Sequence, residues 1–260
     1  MSCLPAHGRV SCSICHTSLN PDFDHTKTTK ENWRITFNPL SWGATEPEVV
    51  VLGFSKGPTQ AGALAHAPHN SIAYKGSRGN VGKILSHIGL IPHGTNDELS
   101  EKVDRLIADE SGRFHFASLV RCAVERFDPK TSKWKGSGGG MLDKFVSTEF
   151  GGKVAGNCVE RFLSKLPASA KLIVMFGLGT RMNYVREARK LFFQARPGNW
   201  RIINDVTYSD GAVTVVHVEH FASQGALIPN WLGVNDHDRS RLGKMAQEGV
   251  RSALGAEQGA

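Results

Sequence analysis

Val49-Val50-Val51-Leu52-Gly53-Phe54-Ser55-Lys56-Gly57-Pro58 is the stretch that decides the fold. Three β-branched residues and a leucine without a polar interruption suit a strand buried on both faces, the condition of a parallel sheet. The glycines that follow let a backbone approach a ligand closely. Further strands are predicted at Phe114 to Val120, Leu172 to Phe176 and Val213 to Val218, with helices around Asn80 to Ile88, Cys158 to Leu166 and Arg181 to Phe193 between them. An amphipathic stretch, Asp236 to Leu254, closes the chain as a helix. Strands alternating with helices imply an α/β fold, a single domain over residues 1–260 with a central parallel sheet flanked by helices.

Two segments stand apart from this alternation. Met1 to Trp42 is rich in Cys, His, Asn, Pro and Thr with little periodicity, and reads as a cysteine-containing, loop-dominated lead-in that needs a cross-link to be ordered. Asp128 to Gly156 carries Gly136, Gly138, Gly139 and Gly140 among Lys130, Lys133, Lys135 and Lys144, and reads as an inserted basic loop, suited to a phosphate backbone or simply to solvent.

Composition narrows the class. With 260 residues, 40% hydrophobic and 21% charged, the chain can bury a substantial core and is not a disordered or fibrous protein. Its apolar runs fall far short of the roughly 20 residues a bilayer span needs, and Met1 to Val10 has no apolar signal core, so a soluble, cytoplasmic protein without a membrane partner is expected. A net charge of +7 favours polyanionic partners. The turn after Leu52 matches neither the eight-residue phosphate loop nor the dinucleotide fingerprint, which argues against a nucleotide cofactor. Cys12-x-x-Cys15 in a chain without an export signal points to a metal or cluster rather than a disulfide.

Ligands of doubly wound sheets bind beyond the carboxyl ends of the strands. Four stretches are informative there: Gly53 to Gly57, Tyr74-Lys75-Gly76-Ser77-Arg78-Gly79-Asn80-Val81 at a helix start, Ser118-Leu119-Val120-Arg121-Cys122, and His220-Phe221-Ala222 after the last strand. Singly, Tyr74 suits a core position as well as a stacking platform, and His220 a hydrogen-bonded structural role. Together with Cys158, and in this order, they resemble the uracil-DNA glycosylase superfamily, closest to its iron-sulfur (family 4) branch. The resemblance runs from about residue 12 to 235 and rests on the colinear set of degenerate motifs.

The resemblance implies a glycosylase-like α/β fold and a DNA glycosylase that hydrolyses the N-glycosidic bond of a flipped-out base during repair. It places four metal ligands at Cys12, Cys15, Cys122 and Cys158, a set suited to a [4Fe-4S] cluster of structural role. A zinc site using Cys3, Cys12, Cys15 and His7 or His16 is the rival. His220 takes the position that donates to an oxygen of the leaving base. Ser55 falls where the family positions water with an acid or amide, and a serine cannot be a strong base.

Gly53, Phe54, Tyr74 and Ser118 fall at base-binding positions, with Ser118 in place of an asparagine that reads uracil through two hydrogen bonds. One hydroxyl cannot do that, which predicts weak uracil selectivity or a different, bulkier base. Arg78, Arg121, Ser223, Gln224 and Leu227 are candidate DNA contacts, Leu227 or Ile228 as a wedge in the duplex. The alternative reading of Leu227, Ile228 and Trp231 is that they seat the loop on the core. No lysine stands at a Schiff-base position, so strand cleavage is not expected. Ser55 and Ser118 motivate one alternative, a glycosylase specialised for bulky modified cytosines in phage DNA and so for antiviral defence. A second is a catalytically weak protein that binds damaged DNA.

Overall fold

The computed structural model describes residues 4–57, 67–136 and 141–255. Its strands are β1 (Gly8–Arg9), β2 (Lys27–Lys30), β3 (Trp33–Thr36), β4 (Leu40–Gly43), β5 (Val49–Gly53), β6 (Phe114–Ser118), β7 (Ala123–Asp128), β8 (Lys133–Gly136), β9 (Leu172–Phe176), β10 (Arg201–Asn204), β11 (Thr207–Ser209) and β12 (Thr214–Val218). Its α-helices are α1 (Arg78–His87), α2 (Asn96–Ala108), α3 (Met141–Val146), α4 (Glu149–Leu163), α5 (Asn183–Ala195), α6 (Leu227–Trp231) and α7 (Arg239–Leu254).

The chain is one α/β domain built on an eight-stranded mixed sheet in the order β1-β4-β6-β5-β9-β12-β11-β10. Its centre is parallel: β6, β5, β9 and β12 run the same way, in register from Val49 opposite Phe114 and Leu172 to Val218 opposite Phe176. The hydrophobic run predicted this arrangement. Val49, Val50, Val51 and Leu52 each have 0% exposure, and burying such side chains stabilises by roughly 1.5–3 kcal/mol apiece. The edges are antiparallel, β1 and β4 on one side and the β10–β11 hairpin on the other. The expected central parallel sheet is present in the four middle strands, and the antiparallel edges were not expected.

Most of the lead-in is loop, as expected, but it is not without strands. It contributes β1 and β4 to the large sheet and β2 and β3 to a second, four-stranded sheet ordered β2-β3-β7-β8. Trp33, Ile35, Leu40 and Trp42 are all buried, so apolar packing orders this segment together with any cross-link. Asn38 adds a polar pin, accepting from the backbone of Ala123 at 2.8 Å and donating to Asp24 at 2.9 Å.

Nor is Asp128 to Gly156 an open loop: it holds β8, α3 and the first half of α4. Gly138, Gly139 and Gly140 of that stretch lie outside the described residues. Glycines at 151, 152 and 156 argue against a helix, yet α4 starts at Glu149, capped by Thr148, whose hydroxyl accepts from the Gly151 backbone at 3.0 Å. Gly151 is required for packing: a Cβ there would sit 1.9 Å from the Phe145 carbonyl oxygen. Cys158 is therefore inside a helix rather than opening one.

Helix α2 was not foreseen, although Thr95 and Glu98 form a capping box and Leu99, Val103 and Ile107 recur every fourth residue on its buried face. Among the described residues no helix is long and apolar enough to cross a membrane.

Candidate functional site

Because the four central strands are parallel, the ends of β5, β6, β9 and β12 share one edge of the sheet, and the chain leaves β5 and β9 in opposite lateral directions. That is the crevice where α/β sheets bind ligands. At strand spacings of about 4.8 Å, β6 and β12 stand roughly 14 Å apart across it.

Gly53 ends β5 opposite Ser118 of β6. Its carbonyl accepts from Leu119 at 2.8 Å, and the Phe54 carbonyl accepts from Val120 at 2.9 Å, so these two segments leave the sheet tied together. A Cβ on Gly53 would meet nothing within 4 Å, which marks open space beside the backbone. The Ser55 hydroxyl is buried without a hydrogen-bond partner among the described residues. Ser118 is 8% exposed.

Phe54 differs from its expected role. It is 3% exposed, and its ring packs edge-on against Phe145 and Tyr184, so it serves the core and only its backbone borders the crevice.

Tyr74 is also packed, with its ring edge-on to Phe116, Phe176 and Phe221 at 6.1, 5.9 and 4.9 Å. Its φ of +53° is an outlier for a bulky residue, a conformation that costs on the order of 1–3 kcal/mol and clusters at ligand sites. Phe221 joins this aromatic group to His220, on which it stacks at 4.4 Å. Asn80, at the start of α1, locks the junction by donating to the Phe221 carbonyl at 3.0 Å.

His220 is held by its own loop. The Ala222 backbone N–H donates to Nδ1 at 3.1 Å, which leaves Nε2 to carry the proton. Burial lowers the ring's pKa below the ordinary histidine value, opposed by the Glu219 carboxylate. At neutral pH the site therefore offers an uncharged imidazole with one N–H donor.

Glu219, a residue the sequence reading passed over, organises this loop. One carboxylate oxygen accepts from the His220 backbone at 2.9 Å and the Ser223 hydroxyl at 2.7 Å, and the other accepts from Arg239 Nε of α7 at 2.5 Å. The available signal was an acid beside the histidine at the end of an apolar strand.

Beyond His220 the chain is exposed. Gln224 donates to the Ala222 carbonyl at 3.1 Å, and Leu227 is 40% exposed at the start of α6. Ile228 and Trp231 are buried and seat the loop on the core, while Leu227 does not.

Two expected DNA contacts are engaged elsewhere. Arg78 pairs with Asp104 and donates to the carbonyls of Asn70 and Ala73, fixing the turn that presents Tyr74. Arg121 is 2% exposed and faces the cysteines, so it reaches no surface.

The four expected ligands converge on one cavity. Cys12, Cys15, Cys122 and Cys158 line it together with Ile14, His16, Pro39, Arg121 and Val154. Asn157 Nδ2 donates to the Cys15 sulfur at 3.5 Å, and His16 Nε2 lies 3.6 Å from the Cys122 sulfur. Backbone amides of Asn38 and Arg121 also bond to Cys122 and Cys158.

Burial raises the thiols, Cys122 to about 11 and Cys158 to about 12, so as bare thiols they are protonated at neutral pH. No three His, Cys, Asp or Glu side chains among the described residues close in tightly enough to hold a single metal ion. His7, offered for the zinc alternative, instead accepts from the Gly43 backbone at 3.2 Å and sits edge-on to His69. Cys3 lies outside the described residues.

A groove of about 580 Å³ between α4 and α5, lined among others by Lys153, Glu160, Glu187 and Lys190, lies away from the strand ends. None of Gly53, Ser55, Tyr74, Ser118 and His220 lines it.

No family model and no curated protein matches the chain. The class that fold and site define is an α/β protein with a histidine at the carboxyl edge of a parallel sheet and a cavity lined by four cysteines.

Proposed function

We propose that this chain is a monofunctional DNA glycosylase of the uracil-DNA glycosylase type, cleaving the N-glycosidic bond of a flipped-out uracil or modified base. The observation that carries the reading is His220: a strand-end imidazole pinned by Ala222 so that Nε2–H is a donor at the carboxyl edge of the sheet. As the glycosidic bond breaks, its electron pair stays with the base, and the Nε2–H stabilises the charge gathering on the base oxygen. Water adds to the sugar carbon and releases a proton to solvent. Ser55 Oγ, which lacks a partner among the described residues, is the group that orients this water. Lys56 donates to the Arg121 carbonyl, which keeps it from attacking the sugar and agrees with hydrolysis without strand cleavage.

Cys12, Cys15, Cys122 and Cys158 suit a [4Fe-4S] cluster. They come from the lead-in, the end of β6 and helix α4, so the cluster would supply a cross-link between distant segments rather than a step of the reaction. A cubane holds its four thiolates further apart than a single zinc ion with Zn–S bonds of about 2.3 Å.

A second reading is favoured by Ser118 and by the open space at Gly53: a site that accepts bulky modified cytosines and serves antiviral defence. Both readings are tested by base release from DNAs carrying uracil, hypoxanthine, hydroxymethylcytosine or its glucosylated form, using anaerobically prepared protein. Uracil release supports repair. Release only of a modified cytosine supports the second reading, and silence across the panel sinks both in favour of a binding protein.

A further inference from the structure

A buried cation is costly unless it is paired. Two such cations share the space beside the cysteine cavity. Lys56 is 3% exposed and Arg121 is 2% exposed. Lys56 Nζ donates to the Arg121 backbone carbonyl, which supplies a dipole but no charge. Neither Nη1 nor Nη2 of Arg121 has a hydrogen-bond partner among the described residues, and its guanidinium lies over the Phe162 ring at 4.8 Å.

The groups that act electrostatically on the pair are the thiols. Arg121 lines the cavity with Cys12, Cys15, Cys122 and Cys158, Lys56 is tied to the Arg121 carbonyl, and the carboxylate that acts on Lys56, Asp24, is itself bonded to Asn38. With neutral thiols the two cations repel each other and only Asp24 and the Phe162 ring offset them in part. Four thiolates around a [4Fe-4S]²⁺ core carry a net charge of −2, which matches them.

We propose that Lys56 and Arg121 are the counter-ions of a dianionic four-thiolate metal centre at Cys12, Cys15, Cys122 and Cys158, and that their charges retain the centre. The proposal rests on the metal reading of the cysteines and is independent of base excision. Loading the centre releases the four thiol protons to solvent. If the centre is a cluster, its one-electron reduction by an added dithionite reductant takes the net charge to −3, which the two cations stabilise.

The test uses the full chain, purified anaerobically, as wild type, K56R and K56M, with R121M as a second removal of charge. Iron, sulfide and zinc contents are measured, and metal loss is followed under a chelator. Wild type and K56R are expected to hold the centre. K56M and R121M are expected to lose it about tenfold faster, with a more negative midpoint potential in dithionite titrations if the centre is a cluster. The metal-free chains give the opposite sign: apo-K56M should melt above apo-wild type, since an unpaired buried cation is gone. A K56M protein that retains metal as wild type does overturns the proposal. So does a wild type that neither carries iron or zinc nor takes them up on reconstitution, and so does a K56M or R121M chain that fails to fold in metal-free form where wild type folds. A chain that holds metal and releases no base fails the glycosylase reading alone.

Discussion

The Glu219 carboxylate accepts the backbone N–H of His220 at 2.9 Å while its other oxygen takes Arg239 Nε at 2.5 Å, so the loop that carries the histidine is anchored to the C-terminal helix through one buried acid. Glu219 is 2% exposed, and removing one partner of a buried pair costs about 3–5 kcal/mol. Glu219→Ala should lower the melting temperature measurably and reduce turnover through a displaced His220. Arg239→Lys should be milder in both. Thermal denaturation and single-turnover base release check this; equal stability of wild type and Glu219→Ala would deny the anchor.

On the proposed glycosylase reading, His220→Ala removes the donor to the leaving base. Loss of one such donor is worth about 10²–10³ in rate, and DNA affinity should change little, because the ring is partly buried behind Ala222 and Phe221. Single-turnover rates and fluorescence anisotropy with a non-cleavable DNA separate the two effects.

Leu227 and Ile228 are adjacent and differ in burial, 40% against 5%. Leu227→Ala should leave stability within about 0.5 kcal/mol yet slow release from duplex DNA more than from single strands, because a wedge matters only where a base must leave a stack. Ile228→Ala should cost about 2–5 kcal/mol. If Leu227→Ala slows both DNA forms equally, it is not a wedge.

Ser118→Asn restores two hydrogen-bonding groups opposite Gly53. The ratio of uracil release to release of larger bases should rise, read from the same base panel. An unchanged ratio would place base reading elsewhere.

His115 and His217 are buried at 0% exposure. Burial lowers them to about 3 and about 4, from an ordinary value of 6.5. Below 6.5 the unfolded chain takes up these protons while the native chain does not, so stability is full above 6.5 and falls with decreasing pH until the native groups titrate. The slope is about 1.4 kcal/mol per pH unit for each histidine. Urea unfolding between pH 7 and 4.5 should show this loss, and His217→Gln should flatten its share. A pH-independent midpoint across that window would contradict the neutral burial of both rings.

Much of the sheet was legible because Val49–Leu52 and Leu172–Phe176 are local hydrophobic signals that need no partner to be recognised; the latter strand begins and ends where periodicity places it. The lead-in strands were missed for the opposite reason. Trp33, Ile35 and Trp42 are isolated among polar residues and become core only when β7 and β6 pair with them. The first half of helix α4 falls in the stretch that reads as a basic loop, and its glycines hide it because close approach to Phe145, which demands one at Gly151, is a tertiary contact.

By itself the sequence determined the order of strands and helices, the positions of the strand ends and thus of His220, Ser118 and Gly53, and the four cysteines, because these depend on residue type and local spacing. Only the tertiary structure decided which side chains face one another over long separations. It turned Arg121 and Lys56 inward to the cysteines, spent Arg78 on Asp104, and joined Glu219 to Arg239. The reason is physical: a charged side chain prefers water unless it is paired, and which ones go inside is set by the partners that folding brings within reach.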